Sequence, residues 1–262
     1  MRTPAAKKEL GQHFLIDENI LGVIGRLAEL GPADVVLEIG PGLGVLTTYL
    51  ADRVAQVHAV ELDRSLEGPL QERLAGRENL ALHFGDALRL DLAALDPAPT
   101  KLVSNLPYNV ATPLGLESLV GLPSLERWCV MVQREVADRF FAEPSTKAYG
   151  AVSVLVQLAA ERTGFHPVSR TVFRPRPNVD SALVAFRRRR DASTEDLTRV
   201  KPIVAASFAH RRKRLANSLE LAGLAAREEA EAALTEIGRD TRARAEELAP
   251  REFVALAEAL GR

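Results

Sequence analysis

Short apolar runs alternate with stretches of helical periodicity over most of the first 190 residues. The short runs predict buried strands, and apolar residues spaced three or four apart between them predict helices. Strands that alternate with helices are typical of a parallel sheet covered on both faces, a Rossmann-like, doubly wound layout of the α/β class. The predicted strands are Val35–Ile39, Gln56–Leu62, Leu80–Phe84, Lys101–Asn105, Trp128–Val132 and Ala182–Arg187. The predicted helices are Leu46–Arg53, Arg64–Leu74, Pro113–Val120 and Glu135–Ala142.

The chain changes character after the run Arg187–Arg190. A polar stretch, Asp191–Asp196, precedes a region rich in Ala, Leu, Glu and Arg that keeps helical spacing to the end. This pattern predicts a second, small, all-helical domain. We therefore expect a sheet domain over residues 1–190 and a helical domain over residues 191–262.

Charge is unevenly distributed, although the 262 residues carry a formal net charge of only -1. Between Arg187 and Arg214 there are ten basic and three acidic residues, and the segments on both sides are acidic. Contacts to nucleic-acid phosphates require such a concentration of positive charge. Its two densest parts, Arg187–Arg190 and His210–Arg214, could each instead be an ordinary solvated surface.

Several classes of protein are disfavoured by the composition. The basic start of the chain precedes no apolar leader, and no run of about 20 apolar residues follows, so we expect a cytoplasmic protein without a membrane segment. Cys129 lies in an apolar run and predicts a buried thiol. None of the five histidines has a Cys, Asp or Glu at zinc-site spacing, which predicts no metal site.

The segment Asn105-Leu106-Pro107-Tyr108, at the end of a predicted strand, carries the clearest chemistry. An exocyclic amine such as adenine N6 is a poor nucleophile, so its site must orient it. The Asn105 oxygen and a neighbouring backbone carbonyl could accept its two N–H bonds, while Tyr108 stacks on the base. Pro107 fixes φ and would keep this geometry stiff. The alternative is a plain turn that ends the strand.

Acidic residues and glycines follow the earlier strands in a fixed order. The loop Glu38–Gly44 follows the first strand, Glu61 ends the second, and Asp86 follows the third. The loop and Glu61 also fit NAD binding or, for the loop, a structural turn. With Asp86 and the Asn105 segment added in this order, the pattern favours an S-adenosylmethionine-dependent methyltransferase.

The chain resembles the KsgA/RsmA family of small-subunit ribosomal RNA adenine dimethyltransferases over nearly its whole length. The matching segments are Gly11–Leu15 with Asp17, Glu38–Gly44, Glu61–Asp63, Gly85–Ala87, Asn105–Tyr108, Thr112–Pro113, Gln133–Val136, Lys147–Gly150, Phe173–Pro177, Val179–Ser181, Arg211–Lys213 and Asn217–Leu219.

This resemblance implies particular roles for the matching residues. The residues expected to bind S-adenosylmethionine are His13, Leu15, Gly40, Gly42, Glu61, Leu62, Asp86, Ala87 and Asn105. Many relatives have Asn at the position of His13, so either its side chain or only its backbone could touch the cofactor. Leu106, Pro107 and Tyr108 would complete the catalytic segment with Asn105. Phe173 would close over the target base, whereas the local pattern alone predicts a core residue.

The resemblance also implies the reaction and the partner. The adenine amine would attack the sulfonium methyl directly, twice per base, on two adjacent adenosines in the 3′-terminal hairpin loop of 16S rRNA. The target base would be flipped or unpaired. Arg211, Arg212, Lys213 and Arg214 would bind RNA, and the protein would act as a monomer within the assembling small subunit.

Three alternatives remain open at this stage. One is a large-subunit ribosomal RNA adenine methylase of the macrolide-resistance type, and the second is a non-catalytic RNA-binding assembly factor. The third, protein amide methylation, uses a similar pocket but leaves the basic segment unexplained.

Overall fold

The computed structural model describes residues 6–7, 10–107, 110–210 and 212–261, and within it the chain divides into two compact units. The first contains the chain up to Ala137 together with Arg162–Arg188. The second contains Asp138–Glu161 and the chain from Arg189 onward. Of the three points where the chain passes between the units, the last, between Arg188 and Arg189, lies close to the boundary predicted at residue 190.

The first unit is built on a seven-stranded sheet with the order β4-β3-β2-β5-β6-β9-β7, beside a separate pair of short strands, β1 and β8. The strands are β1 (Phe14–Leu15), β2 (Val35–Ile39), β3 (Gln56–Glu61), β4 (Leu80–Phe84), β5 (Lys101–Asn105), β6 (Arg127–Gln133), β7 (Ala160–Val168), β8 (Phe173–Arg174) and β9 (Ser181–Arg188). The helices up to the first unit boundary are α1 (Asn19–Leu27), α2 (Val45–Ala51), α3 (Glu67–Leu74), α4 (Ala111–Gly121) and α5 (Arg134–Phe140), which crosses it.

The predicted α/β class is confirmed, and all six predicted strands are present with ends shifted by no more than one residue. Strands β2 to β6 pair in parallel, whereas β9 runs antiparallel to β6, with Val130 opposite Val184. The prediction of a parallel sheet was therefore wrong for this last strand. In the sheet β9 lies between β6 and β7, and it follows β7 after a 3₁₀ turn, Arg170–Val172, and the two-residue β8. This connection contains no α-helix, which a parallel crossover from β7 to its neighbour would usually need, so β9 enters the sheet in the opposite direction.

Two successive residues of β6, Trp128 and Cys129, show that helices cover both faces of the sheet. The Cys129 thiol lies 3.9 Å from the carbonyl of Ile24 in α1, and the indole of Trp128 donates to the Ser118 hydroxyl of α4 at 2.9 Å. Because successive side chains of a strand point to opposite faces, α1 and α4 lie on opposite sides. Cys129 is buried, as predicted.

Arg188 holds the C-terminal end of α4. Its guanidinium donates to the carbonyls of Leu119, Leu122 and Leu125 at 3.0, 3.1 and 2.8 Å, and it lies 5.1 Å from the centre of the Trp128 ring. A cation at the C-terminal end of a helix satisfies carbonyl oxygens of its last turn, here that of Leu119, and is attracted by the helix dipole. This arginine of the basic run is therefore a structural residue.

The second unit is mainly helical. Its further helices are α6 (Ala151–Ala159), α7 (Thr194–Ala209), α8 (Leu215–Leu221), α9 (Arg227–Glu236) and α10 (Pro250–Ala259). Helix α7 begins at a capping residue, Ser193, whose side chain accepts from the Asp196 N–H at 3.1 Å. The polar stretch before α7 thus acts as its cap.

The segment Asp138–Glu161 belongs to this unit, although the sequence analysis placed it in the sheet domain. Its Tyr149 is buried, donates its hydroxyl to the Leu248 carbonyl at 2.7 Å, and meets Phe208 edge-on. These contacts join the segment to the C-terminal helices. Among the helices that the structure describes, none combines the length and apolar content needed to cross a lipid bilayer.

Candidate functional site

A cleft opens where the carboxyl ends of the parallel strands meet. Strand β2 has β3 on one side and β5 on the other, and ligands bind at such a reversal of strand order in doubly wound sheets. Eleven of the predicted site residues line the cleft: His13, Leu15, Gly40, Gly42, Glu61, Leu62, Asp86, Ala87, Asn105, Leu106 and Pro107. Residues far apart in the sequence are thereby brought to one place, while their roles toward a ligand stay predictions.

The backbone of the glycine loop lines the cleft directly at Gly40 and Gly42. Gly40 and Gly42 have φ angles of +75° and +59°, which favour residues without a Cβ. A Cβ on Gly40 would lie 3.2 Å from Cγ of Pro107, and one on Gly42 would lie 3.0 Å from Cδ1 of Phe14. The loop is therefore packed between the N-terminal segment and the Asn105 segment, with no space for larger residues.

Glu61 is held rigidly at the end of β3. It is buried, Oε2 accepts from the Gly42 N–H at 3.0 Å, and Oε1 accepts from the Asp63 N–H at 2.8 Å. Burial raises the pKa of Glu61, and these two backbone bonds oppose that rise. Since a carboxylate oxygen can accept more than one bond, this geometry suits a ligand with two neighbouring hydroxyl groups.

Glu38 lies near the end of β2, the strand beside β3 in the sheet, and has a very different environment from Glu61. It is buried in the cleft wall, and its Oε2 has no hydrogen-bond partner among the residues described. Burial raises the pKa of Glu38 to about 8; Glu61 adds to the rise and the Thr47 hydroxyl opposes it. Such an acid is protonated at neutral pH unless a cationic or hydrogen-bonding group approaches it.

Asp86 is more exposed than Glu38 and Glu61, two other acidic residues that line the cleft. Its Oδ1 accepts from the Leu88 N–H at 3.0 Å, and its side chain is 40% exposed. The surface-exposed Arg89 lies 3.6 Å from Oδ2. The carboxylate is thus oriented by its own loop and keeps acceptor capacity for an amino group.

Asn105 is fixed by its amide nitrogen. Nδ2 donates to the His13 carbonyl at 3.2 Å, which leaves Oδ1 as the acceptor atom of the amide. The next residue, Leu106, donates its N–H to the Met131 carbonyl of β6 at 3.1 Å. The arrangement can accept hydrogen bonds from an amine, as the sequence predicts. Tyr108 lies outside the described residues.

His13 lines the cleft and makes a backbone and a side-chain contact. Its carbonyl holds Asn105, while its ring Nδ1 is 2.8 Å from the Pro175 carbonyl. Of the two possibilities left open by the sequence, this geometry favours a backbone role for His13.

Asp63 connects the cleft to the N-terminal segment, a role that the sequence did not predict. Its buried carboxylate accepts from Lys7 Nζ at 2.6 Å, from Gln12 Nε2 at 2.9 Å and from the Ser65 hydroxyl at 2.6 Å. Burial favours the neutral acid, but these bonds outweigh it and hold the pKa of Asp63 well below its usual range. The only sequence signal was its place beside Glu61 in a matching segment.

Phe173 lies in the hydrophobic core instead of the cleft wall. It is 3% exposed, pairs with Leu15 through β8 and β1, and belongs to the core cluster that includes Val168 and Leu183. The local pattern predicted this position. A contact between Phe173 and a target base stays a prediction and would require the ring to leave this packing.

The basic segment divides into paired and exposed parts within the second unit. Arg189 pairs with Asp191 at 2.9 Å, whereas Arg212, Lys213 and Arg214, between α7 and α8, are exposed. Arg211 lies outside the described residues. In the part of the chain that the structure describes, no group of three or more His, Cys, Asp or Glu residues is arranged to hold a metal ion.

Comparison with known proteins gives consistent matches over nearly the whole chain. Residues 4–260 match the ribosomal RNA adenine dimethylase family. A protein of Rubrobacter xylanophilus named ribosomal RNA small subunit methyltransferase A is 51% identical over 97% of this chain and 95% of its own length. The protein of the same name from Streptomyces avermitilis is 45% identical over 97% of this chain and 88% of its own length.

Two solved structures share the fold. A dimethyladenosine transferase from Plasmodium falciparum superposes with a TM-score of 0.77 at 22% identity and covers 93% of this chain and 96% of its own. The 23S rRNA methyltransferase ErmE superposes with a TM-score of 0.67 at 31% identity and covers 95% and 100%, respectively.

Proposed function

The chain belongs to the ribosomal RNA adenine dimethylase family, and on this basis we propose that it dimethylates N6 of two adjacent adenosines in the 3′-terminal hairpin loop of 16S rRNA. The proposed methyl donor is S-adenosylmethionine. The observation that carries the proposal is the position of Asn105, fixed through its amide nitrogen, in one cleft with Glu61 and Asp86.

The cleft fits this cofactor. Gly40 and Gly42 line the cleft and carry no side chain, so ligand atoms could approach the backbone of the loop closely, while Pro107 and Phe14 pack against the loop where a Cβ would lie. Glu61 would hold the ribose hydroxyls and Asp86 the adenine amino group. Buried Glu38, with an unpartnered oxygen, would accept from a polar or cationic part of the ligand.

The chain would contribute the orientation of the target amine. When bound, S-adenosylmethionine supplies a methyl group carried on a positively charged sulfur. Asn105 Oδ1 and the Leu106 carbonyl would accept the two N–H bonds of the target amine and aim its lone pair, and Pro107 would keep them in place. No strong base is needed, because the methylated nitrogen is acidic and can lose its proton to water. A neutral amide therefore suffices.

The choice of the small subunit rests on the named relatives. Those at 45–51% identity bear the small-subunit name, whereas ErmE, which acts on 23S rRNA by its title, is 31% identical. We assign contacts with 16S rRNA to the exposed Arg212–Arg214 together with Arg211. The protein would act as a cytoplasmic monomer that also assists assembly of the 30S particle.

Transfer of a labelled methyl group to isolated particles tests the proposal. The protein is incubated with labelled S-adenosylmethionine and, separately, with unmethylated small and large ribosomal subunits. We expect label in 16S rRNA and none in 23S rRNA. Label in 23S rRNA would favour the large-subunit alternative, and no label in either would favour the non-catalytic assembly factor.

A further inference from the structure

Ser104 occupies the point where the sheet opens to form the cleft. Strand β5 stays paired with β6 as far as Asn105, opposite Met131, but its pairing with β2 ends at Leu37 and Leu102. Beyond that point the two strands are joined through a side chain. The Ser104 hydroxyl accepts from the Ile39 N–H at 2.8 Å and donates to the Ile39 carbonyl at 2.6 Å.

One hydroxyl therefore replaces two hydrogen bonds of the sheet. Ser104 is 2% exposed and Ile39 is 4% exposed, so water has little access to these groups. A side chain inserted between two strands keeps them further apart than direct backbone pairing does. The buried N–H and carbonyl of Ile39 both need a hydrogen-bond partner. The lengths of their two hydrogen bonds to the Ser104 hydroxyl therefore set the distance between β2 and β5 at the opening.

The two residues that follow this bridge are central to the proposed reaction. Gly40, next to Ile39, begins the glycine loop, and Asn105, next to Ser104, is the proposed acceptor for the target amine. Pro107 also contacts Gly40 closely, but through apolar atoms that have no directional preference. The serine hydroxyl is a directional link between the strand that leads into the loop and the strand that leads into Asn105.

We propose that Ser104 is a positioning residue whose hydroxyl sets the spacing between the glycine loop and Asn105, and so the alignment of the target amine with the methyl donor. This inference rests on the proposed function. A displacement of about 1 Å between reacting groups can reduce a rate by about 100-fold. Cofactor binding depends on Glu61 and Asp86 as well, so it should be less sensitive to this spacing.

Ser104→Ala removes the bridge, and Ser104→Thr keeps a hydroxyl on the same atom. We expect the single-turnover rate of methyl transfer to fall about tenfold or more in Ser104→Ala, while the Kd for S-adenosylmethionine changes less than about threefold. Ser104→Thr should restore most of the rate.

Ser118→Ala is the matched control. Ser118 is a buried serine of α4 that accepts from the Trp128 indole and donates to the Gly115 carbonyl, both at 2.9 Å, and it lies outside the cleft. This variant should lose stability and keep its rate at temperatures well below its melting point. A comparable loss of rate in Ser118→Ala would reduce the Ser104 effect to general destabilisation and overturn the inference.

A structural measurement keeps the test independent of the proposed function. Crystal structures of the parent and of Ser104→Ala should differ in the separation of the Gly40 and Asn105 Cα atoms, and Ser104→Thr should match the parent. An unchanged separation, or an unchanged rate in Ser104→Ala, would overturn the inference. A parent that transfers no methyl group would contradict the proposed function, while the separations would still decide whether Ser104 sets the spacing.

Discussion

At the scale of single residues, two buried glutamates of the cleft show how the surroundings of a carboxyl group determine whether it is charged or neutral. Glu61 receives two backbone N–H donors, whereas Oε2 of Glu38 receives none from the described residues. Glu61 is thereby prepared to accept hydrogen bonds, and Glu38 is kept close to neutrality by burial. Near them, Asn105 offers only an amide oxygen, which suits a reaction that needs orientation without a base.

Replacing Asn105 by Ala should leave the fold intact and lower kcat by about 100-fold or more, the usual cost of losing one oriented group in the transition state. Rapid-quench transfer to small subunits would measure the rate, and circular dichroism the fold. Asn19→Ala, which removes an exposed amide at the start of α1, is the control and should behave as the parent. Near-native turnover in Asn105→Ala would remove its assigned role.

The raised pKa of Glu38 predicts a pH-dependent stability difference. The ordinary pKa is 4.5 and the folded value is about 8, so ionisation destabilises the folded state as pH rises through this range. Without cofactor, Glu38→Gln should therefore gain in free energy of unfolding relative to the parent between pH 5 and 8, and the gain should level off above about pH 8. Urea unfolding at several pH values measures it, and a difference that does not vary with pH would contradict the account.

At the scale of secondary-structure elements, the N-terminal segment is attached to the sheet at separate points. Strand β1 pairs with β8, Phe14 packs against Gly42, and Lys7 and Gln12 bind Asp63. Asp63 also donates its N–H to Glu61, so one residue contacts both the segment and the proposed ribose site. Loss of the contacts of Asp63 should weaken cofactor binding more than it disturbs the packing of the hydrophobic core.

Asp63→Asn should weaken S-adenosylmethionine binding, which calorimetry measures, and should lower stability at neutral pH. Because the folded pKa of Asp63 is depressed, its stabilising contribution is present above its ordinary pKa of 3.8 and is lost as the pH falls below it. The control is Asp52→Asn, which breaks a half-exposed ion pair with Arg77. Equal cofactor affinities for parent and Asp63→Asn would show that the anchor has no role in binding.

The sequence predicted the elements whose signals are local. Strands such as the one predicted at Trp128–Val132 are continuous apolar runs, and the predicted strands keep their places within one residue at each end. Strand β7 was missed because Gly164, Pro167 and several polar residues interrupt its pattern, and only its position at the sheet edge explains it. The Ser104 bridge and the Asp63 anchor also join residues more than 50 positions apart, which no local pattern reveals.

At the scale of the whole molecule, charge is divided between neutralised and exposed sites. Arg188 and Arg189 are used within the fold, whereas Arg212–Arg214 are exposed in the second unit. The net charge of -1 therefore understates how basic one surface of that unit is. We expect this surface to provide much of the affinity for RNA.

Replacing Arg211, Arg212 and Lys213 together by Ala should weaken binding to the small-subunit particle. The slope of log K against log salt concentration should become less steep by about 0.7 to 0.9 per lost phosphate contact. Cofactor affinity should not change. The control is the pair Arg227→Ala and Arg239→Ala, since each of these arginines already pairs with a glutamate. If the mutant and the parent had identical salt slopes, the RNA site would have to be assigned instead to the region of Arg174 and Arg176 in the first unit.

The most direct test of the central claim is nucleoside mass spectrometry of 16S rRNA from unmethylated small subunits after incubation with the protein and S-adenosylmethionine. The account predicts N6,N6-dimethyladenosine at two adjacent positions of the 3′-terminal hairpin loop, formed at an initial rate lower by about 100-fold or more when Asn105→Ala replaces the parent. Methylation at another atom or another position in the RNA, or dimethylation by Asn105→Ala at a near-native rate, would contradict it.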